Sequence, residues 1–268
     1  MILSSKLIKA KLYKYISHVQ REYEVGLVVD LLAPGEKFID IGANKGTYIY
    51  GALRANATVL AIEPIPELAS HLEQLFANEE VEILEFAVGK FSGETDLFIP
   101  TENSRRISTR ASLSSIANMG FQLEQIKVNV APLDSLVSIA DFVKVDVEGN
   151  ELEVLESSIS LLKTQHPTIM CEAEVRHHPD NPEILNQCFT FLESLGYKGF
   201  FISPLNRKLL EPISKFDSRR YQRIEANKKA GSLRHDPNYV NNFLFIHDSR
   251  LAALSKRVLL KGWKLAQA

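Results

Sequence analysis

Cysteine is scarce in this chain, and so are tryptophan and methionine. Of the 268 residues only Cys171 and Cys188 are cysteines, too few for a disulfide framework or a cysteine zinc site. Both sit in apolar runs, which reads as buried free thiols in a reducing compartment. No charge of one sign dominates. The formal net charge is -2, so no global signal for a polyanion is present and no nucleic-acid partner is expected. No run approaches the ~20 apolar residues that a membrane-spanning helix needs. The opening residues, MILSSKLIKAKLYKYISHV, interrupt every apolar stretch with lysine, unlike a signal peptide. Together these features predict a soluble, cytoplasmic protein. Also missing is Gly-x-Gly-x-x-Gly, the loop that cradles a dinucleotide pyrophosphate.

What is present is enough apolar sequence for a large core. With 45% hydrophobic residues, the length fits one globular domain with an appended subdomain. Residues 1–35 read as an N-terminal helical extension, with Val25, Val28, Leu31 and Leu32 at helical spacing and Pro34-Gly35 stopping it. Strands are predicted over 37–41, 58–62, 81–88, 142–147 and 168–173, and shorter ones over 126–130, 200–202 and 243–246. Helices are predicted over 46–55, 66–77, 151–162 and 182–195. Gly89 and Gly93 frame a turn that would pair 94–99 with the third strand as a hairpin. The stretch 100–125 is polar and reads as an irregular insertion. Residues 205–240 form a basic segment, and 251–268 a basic C-terminal helix. The main domain is thus 36–250. Strands alternating with helices predict an α/β fold, a mostly parallel sheet with helices on both faces. Ligands of such sheets bind beyond the strand C-termini.

The richest motif is FIDIGANKG at 38–46. An apolar strand ends in Asp40, and Gly42 and Gly46 then let the backbone turn sharply and approach a ligand. Asp-x-Gly-x-x-x-Gly, with an acid ahead of the first glycine, suits a ligand with a cationic amino-acid end, such as S-adenosyl-L-methionine. Glu63 follows Asp40 at the interval expected of a ribose-binding acid, where a carboxylate can accept from both ribose hydroxyls. Pro64 follows it at the strand end. Ala87 and Val88 end the third strand, where small apolar residues would lie against adenine or simply fill core. In KVDVEGNE at 144–151, Lys144, Asp146 and Glu148 alternate, which puts them on one side of a strand. Charges in an apolar strand are costly unless paired or functional.

These pieces resemble the FkbM family of S-adenosylmethionine-dependent methyltransferases. FIDIGANKGTY, AIEPIP, LDSL, FVKVDVEGNELEVL and PTIMCEAE occur in that order, over roughly residues 20–200. The resemblance implies a class I methyltransferase-like (Rossmann-like) fold and O-methylation of a small molecule, sugar or glycan. It places Asp40, Gly42, Asn44, Gly46, Glu63 and Asp146 around the cofactor. Asn150 stands where family members often carry a small residue or histidine.

An acceptor hydroxyl must lose its proton, so a base is needed within hydrogen-bond reach. The catalytic candidates are Asp146, Glu148 and His177, with Glu172, Glu174 and His178 close in sequence. The His-His-Pro-Asp loop also fits plain solvated surface. No ligand spacing demands a metal, and none is expected. The cations Arg207, Lys208, Lys215, Arg219, Arg220, Arg223, Lys228, Lys229 and Arg234 suit either a solvated face or a lid over an anionic acceptor. The tail beyond Asp248, amphipathic through Leu251, Leu254 and Val258, suits a docking helix or a peripheral membrane contact. Two other classes compete: an NAD-dependent oxidoreductase, and a catalytically silent binding module of the same fold.

Overall fold

The computed structural model describes residues 23–181, 183–222 and 238–266. The elements run α1 (Tyr23–Leu31), β1 (Lys37–Ile41), α2 (Thr47–Arg54), β2 (Thr58–Ile62), α3 (Pro66–Phe76), β3 (Val81–Leu84), β4 (Ala87–Val88), β5 (Gly93–Glu102), β6 (Arg105–Arg106) and β7 (Gln122–Ala131). Then come α4 (Leu133–Leu136), β8 (Phe142–Val145), α5 (Glu151–Glu156), α6 (Ile159–Gln165), β9 (Thr168–Glu172), α7 (Ile184–Ser194), β10 (Tyr197–Ile202), β11 (Leu209–Pro212), α8 (Ser218–Tyr221), β12 (Asn242–His247), α9 (Asp248–Leu260) and β13 (Lys264–Leu265).

One sheet holds β13-β11-β10-β12-β9-β8-β1-β2-β3 in that order. From β3 to β9 every pairing is parallel. β12 then enters antiparallel between β9 and β10. Apart from the edge strand β3, the parallel strands are buried on both faces, which is why they read as continuous apolar runs. Alternation along them still sorts the two faces. Ile39, Ile41, Val143, Val145, Ile169 and Cys171 pack with Leu155, Leu162, Leu185 and Leu192 from α5 to α7. Phe38, Val59, Phe142 and Met170 pack with Leu27, Leu31, Ile49, Leu72 and Phe76 from α1 to α3. The predicted α/β class holds, and the expected N-terminal helix is α1 within that second layer; residues 1–22 lie outside the described residues.

Several boundaries differ from expectation. The predicted third strand is two: β3 stays in the main sheet, and β4 leaves it to pair with β7 in a second sheet, β4-β7-β5-β6. Glu85 and Phe86 make that change of sheet, so the run could not be one straight strand. The predicted hairpin partner is also wrong. β5 pairs antiparallel with β7 from Gly93–Val130 to Thr101–Gln122, and the insertion lies at the tip of that long pair. The expected irregular stretch is therefore shorter than 100–125. The predicted helix 151–162 breaks at Ser157-Ser158. Asp134 of the LDSL run caps the second piece, accepting from the backbone of Ser160 at 2.8 Å and Leu161 at 2.9 Å, so a new helix start wins over continuation. Strand β8 stops at Val145, two residues early.

The tail departs most. α9 ends at Leu260, and the chain turns through buried Trp263 into β13 beside β11. Leu254 and Val258 are core, so the apolar stripe that a membrane contact would need is already covered. Arg250 and Arg257 reach Glu36 at 3.2 and 3.4 Å. Among the described residues no helix is long and apolar enough to cross a membrane. Of the basic segment, Lys208 stacks over Trp263 at 4.2 Å and meets Asp30 at 3.4 Å. Arg223, Lys228, Lys229 and Arg234 lie outside the described residues.

Candidate active site

The acids gather where the central strands end. Asp40 lies one residue before the end of β1, opposite Lys144 of β8 and Ala61 of β2. Beyond it the chain turns through Gly42, at φ 78. A Cβ on Gly42 would lie 1.9 Å from the Asp146 carbonyl oxygen, so only glycine lets the loop after β1 lie against the loop after β8. Asn44 takes a left-handed φ of 47. Its backbone N–H donates to Glu63 Oε2 at 2.8 Å, and the Ile65 N–H donates to Glu63 Oε1 at 3.0 Å. Gly46, at φ 80, precedes α2 where a Cβ would press on Phe76 and Leu72.

This corner is rich in acid and poor in cation. Burial, then the charges of Asp146 and Glu63, push Asp40 up to about 7, although Lys144 opposes the rise. Burial also pushes Glu63 up to about 7. Asp40 is 2% exposed, and its Oδ2 has no hydrogen-bond partner. An orphaned buried carboxylate oxygen is costly unless a ligand meets it. A cationic ligand fits that demand, so the residues present suit S-adenosylmethionine. Ala87 and Val88, by contrast, are core in the described structure, and Phe86 beside them is half-buried. Pro64 is half-buried at the end of β2.

Lys144 is the buried hub, with no exposed surface. Its Nζ lies 3.6 Å from Asp146 and 3.7 Å from Glu172, donates to the Val145 carbonyl at 3.3 Å, and sits 5.0 Å from the centre of the Tyr48 ring. Burial alone would lower its pKa, but Asp146, Glu172 and Asp40 together hold it above the ordinary lysine range. The predicted alternation thus holds for Lys144 and Asp146. Glu148 lies past the strand, in the loop, at φ 53.

Glu148 belongs to a second, compensated group. Its Oε2 takes Arg176 Nη2 at 3.0 Å and lies 2.9 Å from His177 Nε2. That histidine contact has ion-pair distance without hydrogen-bond alignment, and His177 Nδ1 has no partner. Arg176 also donates to both oxygens of Glu174, at 2.7 and 2.9 Å. Glu174 further accepts from the Tyr239 hydroxyl and, at 3.4 Å, from Asn241 Nδ2. Burial opposes ionisation of Glu174, yet Arg176 and His177 bring it down to about 2. Glu148 is likewise lowered against burial by His177 and Arg176. His177 is buried, and although burial opposes it, Glu148 raises its pKa.

One expectation is corrected: His177 is buried and not on a solvated loop. It faces Glu148, which raises its pKa. Glu148, held ionised, is a weak proton acceptor. Asp146 remains, with 30% of its side chain open and its pKa raised, chiefly by burial. Arg176, Tyr239 and Asn241 were not anticipated. A Glu-x-Arg run carries no signal until the chain bends through 175–177 and turns Arg176 back on Glu174. Asn150 donates to Glu153 at 3.2 Å. The insertion reaches both groups: Ser108 accepts from Asn44 Nδ2 at 3.3 Å, and Ala117 lies against Gly149. Among the described residues no group of three or more His, Cys, Asp or Glu side chains is placed to hold a metal.

Six strands parallel among themselves, with one reversed strand between β9 and β10, make the class I methyltransferase arrangement. Within that class the chain belongs to the FkbM methyltransferase domain family, whose model matches residues 40–198. Among solved structures it is similar to the methyltransferase FkbM of Methylobacillus flagellatus, at 14% identity and a TM-score of 0.48. That match covers 80% of this chain and only 44% of the other, so the chain spans less than half of that protein. An O-methyltransferase from Bacillus cereus in complex with SAH matches at 10% identity and a TM-score of 0.44, covering 91% and 90%. A TehB-like SAM-dependent methyltransferase from Corynebacterium glutamicum matches at 11% and 0.42, covering 90% and 95%. At these scores strand order, not superposition, defines the class. No curated protein matches the chain.

Proposed function

We propose that this protein transfers a methyl group from S-adenosyl-L-methionine to a hydroxyl of a small molecule or a sugar. The observation that carries it is the orphaned Asp40 Oδ2, 2% exposed, in a corner where Asp40 and Glu63 are both pushed up to about 7. Such a corner is short of positive charge, and the cofactor brings two, an ammonium and a sulfonium. Asp40 with the turn Gly42 to Gly46 would hold the amino-acid end. Glu63 would hold the ribose hydroxyls: each of its oxygens accepts one backbone N–H and keeps a second lone pair. Bound there, the cofactor supplies a methyl already activated for displacement.

The chain then has to align the acceptor and take its proton. Alignment in a near-attack geometry is worth ~7–11 kcal/mol. Asp146 lies between the two groups of acids and is open to a hydroxyl. A methyl-transfer screen over hydroxylated metabolites and nucleotide sugars, read by mass, tests the reading. Stabilisation by NAD and none by S-adenosylhomocysteine in a thermal-shift assay would replace it with an oxidoreductase. Binding of neither would favour a silent module.

A further inference from the structure

Asp146 has a second carboxylate beside it. β8 and β9 run parallel with Val145 opposite Cys171. Asp146 and Glu172 therefore follow at neighbouring strand ends. Lys144 lies between them, 3.6 Å from one and 3.7 Å from the other. The lysine has no exposed surface, whereas the two carboxylates keep 30% and 21% of theirs. Whatever enters meets the oxygens, not the ammonium.

Among the described residues no other cation faces this pair. Asp40 faces it from β1 and Glu63 from the end of β2; Glu148 and Glu174 face it from the flanking loops. Arg176 and His177 are committed to Glu148 and Glu174. The neutral Asn241 Nδ2 donates to Glu172 Oε1 at 2.6 Å and fixes that side chain. Two carboxylates against one ammonium hold one negative charge too many, so they titrate as a unit. Burial first, then mutual charge, raises Glu172 well above its ordinary value.

We propose that Asp146 and Glu172 work as one proton-accepting unit for the acceptor hydroxyl, Asp146 taking the proton and Glu172 setting its basicity across Lys144. This rests on the methyl-transfer reading above. The acceptor O–H bond breaks, its electron pair stays on oxygen, and the proton joins the Asp146 carboxylate. It leaves to solvent through the open side of the pair. Glu172 is a positioning residue: it shares Lys144 with Asp146 and hydrogen-bonds its carboxyl, so its loss resets the basicity of Asp146.

The test needs no acceptor at first. In protein carrying carbon-13 at the carboxyls, the Asp146 and Glu172 signals, assigned by their loss in Asp146→Asn and Glu172→Gln, are followed by NMR against pH. The expected result is two coupled steps in the wild type and, in Glu172→Gln, one Asp146 step displaced from its wild-type position. Glu172→Asp should restore the coupling. An Asp146 titration identical in wild type and Glu172→Gln overturns the proposal. With an acceptor from the screen, Glu172→Gln should lower kcat roughly tenfold and displace the acid limb of the pH profile, with KM little changed. An acid limb that stays in place also overturns it. Wild-type protein that methylates nothing would instead sink the methyl-transfer reading, while the titration still decides whether the pair exists.

Discussion

Two groups of buried acids stand side by side at the end of one sheet, and they are treated in opposite ways. Over β8 and β9, Glu148 and Glu174 share Arg176 and His177 and are held ionised, Glu174 down to about 2. Over β1 and β2, among the described residues, Lys144 alone opposes the rise at Asp40 and no cation opposes it at Glu63, and both are pushed up to about 7. The first group is complete within the chain. The second is short of positive charge. A protein satisfies buried charge where it needs rigidity and leaves it unsatisfied where a ligand is to supply the remainder. The contrast separates a scaffold from a receptor without reference to any bound molecule.

The sharpest way to break the contrast is at Arg176. Arg176→Met strands two buried carboxylates and should destabilise the fold by ~3–5 kcal/mol in urea denaturation. Asp40→Asn in the ligand-free protein should cost nothing or stabilise, because it removes an unpartnered buried charge. If Asp40→Asn costs as much as Arg176→Met, both groups are scaffold. Next in size is Gly42→Ala, whose Cβ would lie 1.9 Å from the Asp146 carbonyl oxygen at φ 78. Overpacking there should cost ~3 kcal/mol and weaken cofactor binding as well. A variant with unchanged melting would show that the two loops can part freely.

Glu63 distinguishes scaffold from receptor at one residue. Its oxygens hold the Asn44 and Ile65 backbones, yet its charge is unpaired. Glu63→Gln keeps the shape and one acceptor oxygen but loses the charge. Calorimetry with S-adenosylmethionine should show ~1.5–3 kcal/mol less binding, and the amide that then faces one of the two backbone N–H groups should cost ~1–3 kcal/mol of stability. Equal affinity would remove Glu63 from the receptor side.

Sequence made one of these groups legible and hid the other. Asp40, Gly42, Gly46 and Glu63 are close to strand ends, and a strand end fixes where the next residues go. The order of apolar runs was enough to bring them together. The Arg176 network needed the chain to bend through 175–177, and Tyr239 and Asn241 to arrive from beyond the basic segment. Pairs across that separation leave no local pattern. The same holds for β4: the run 81–88 is apolar but for Glu82 and Glu85, and nothing in it says that Ala87 joins a second sheet. The tail misled because lysines and arginines mask a short strand and a core Trp263.

The smallest expected effect is also the most specific, since it follows from the sign of the two shifts. Asp40 and Glu63 ionise near 7 when folded and near 4 when unfolded. The folded state binds the extra protons, so these groups cost stability increasingly as pH rises from about 4 to 7. Glu174 runs the other way: its contribution is present above about 4 and is lost as pH falls through about 2. A cationic ligand must find Asp40 and Glu63 ionised. Its affinity should therefore rise with pH up to about 7 and level off above, with up to about two protons released on binding below that point. Calorimetry of S-adenosylmethionine in buffers of different ionisation heat counts those protons, and S-adenosylhomocysteine, which lacks the sulfonium charge, should release fewer. Equal proton release by the two ligands would mean that the sulfonium does not face these acids. No release by either would mean that both acids are already ionised, and that the corner over β1 and β2 is compensated after all.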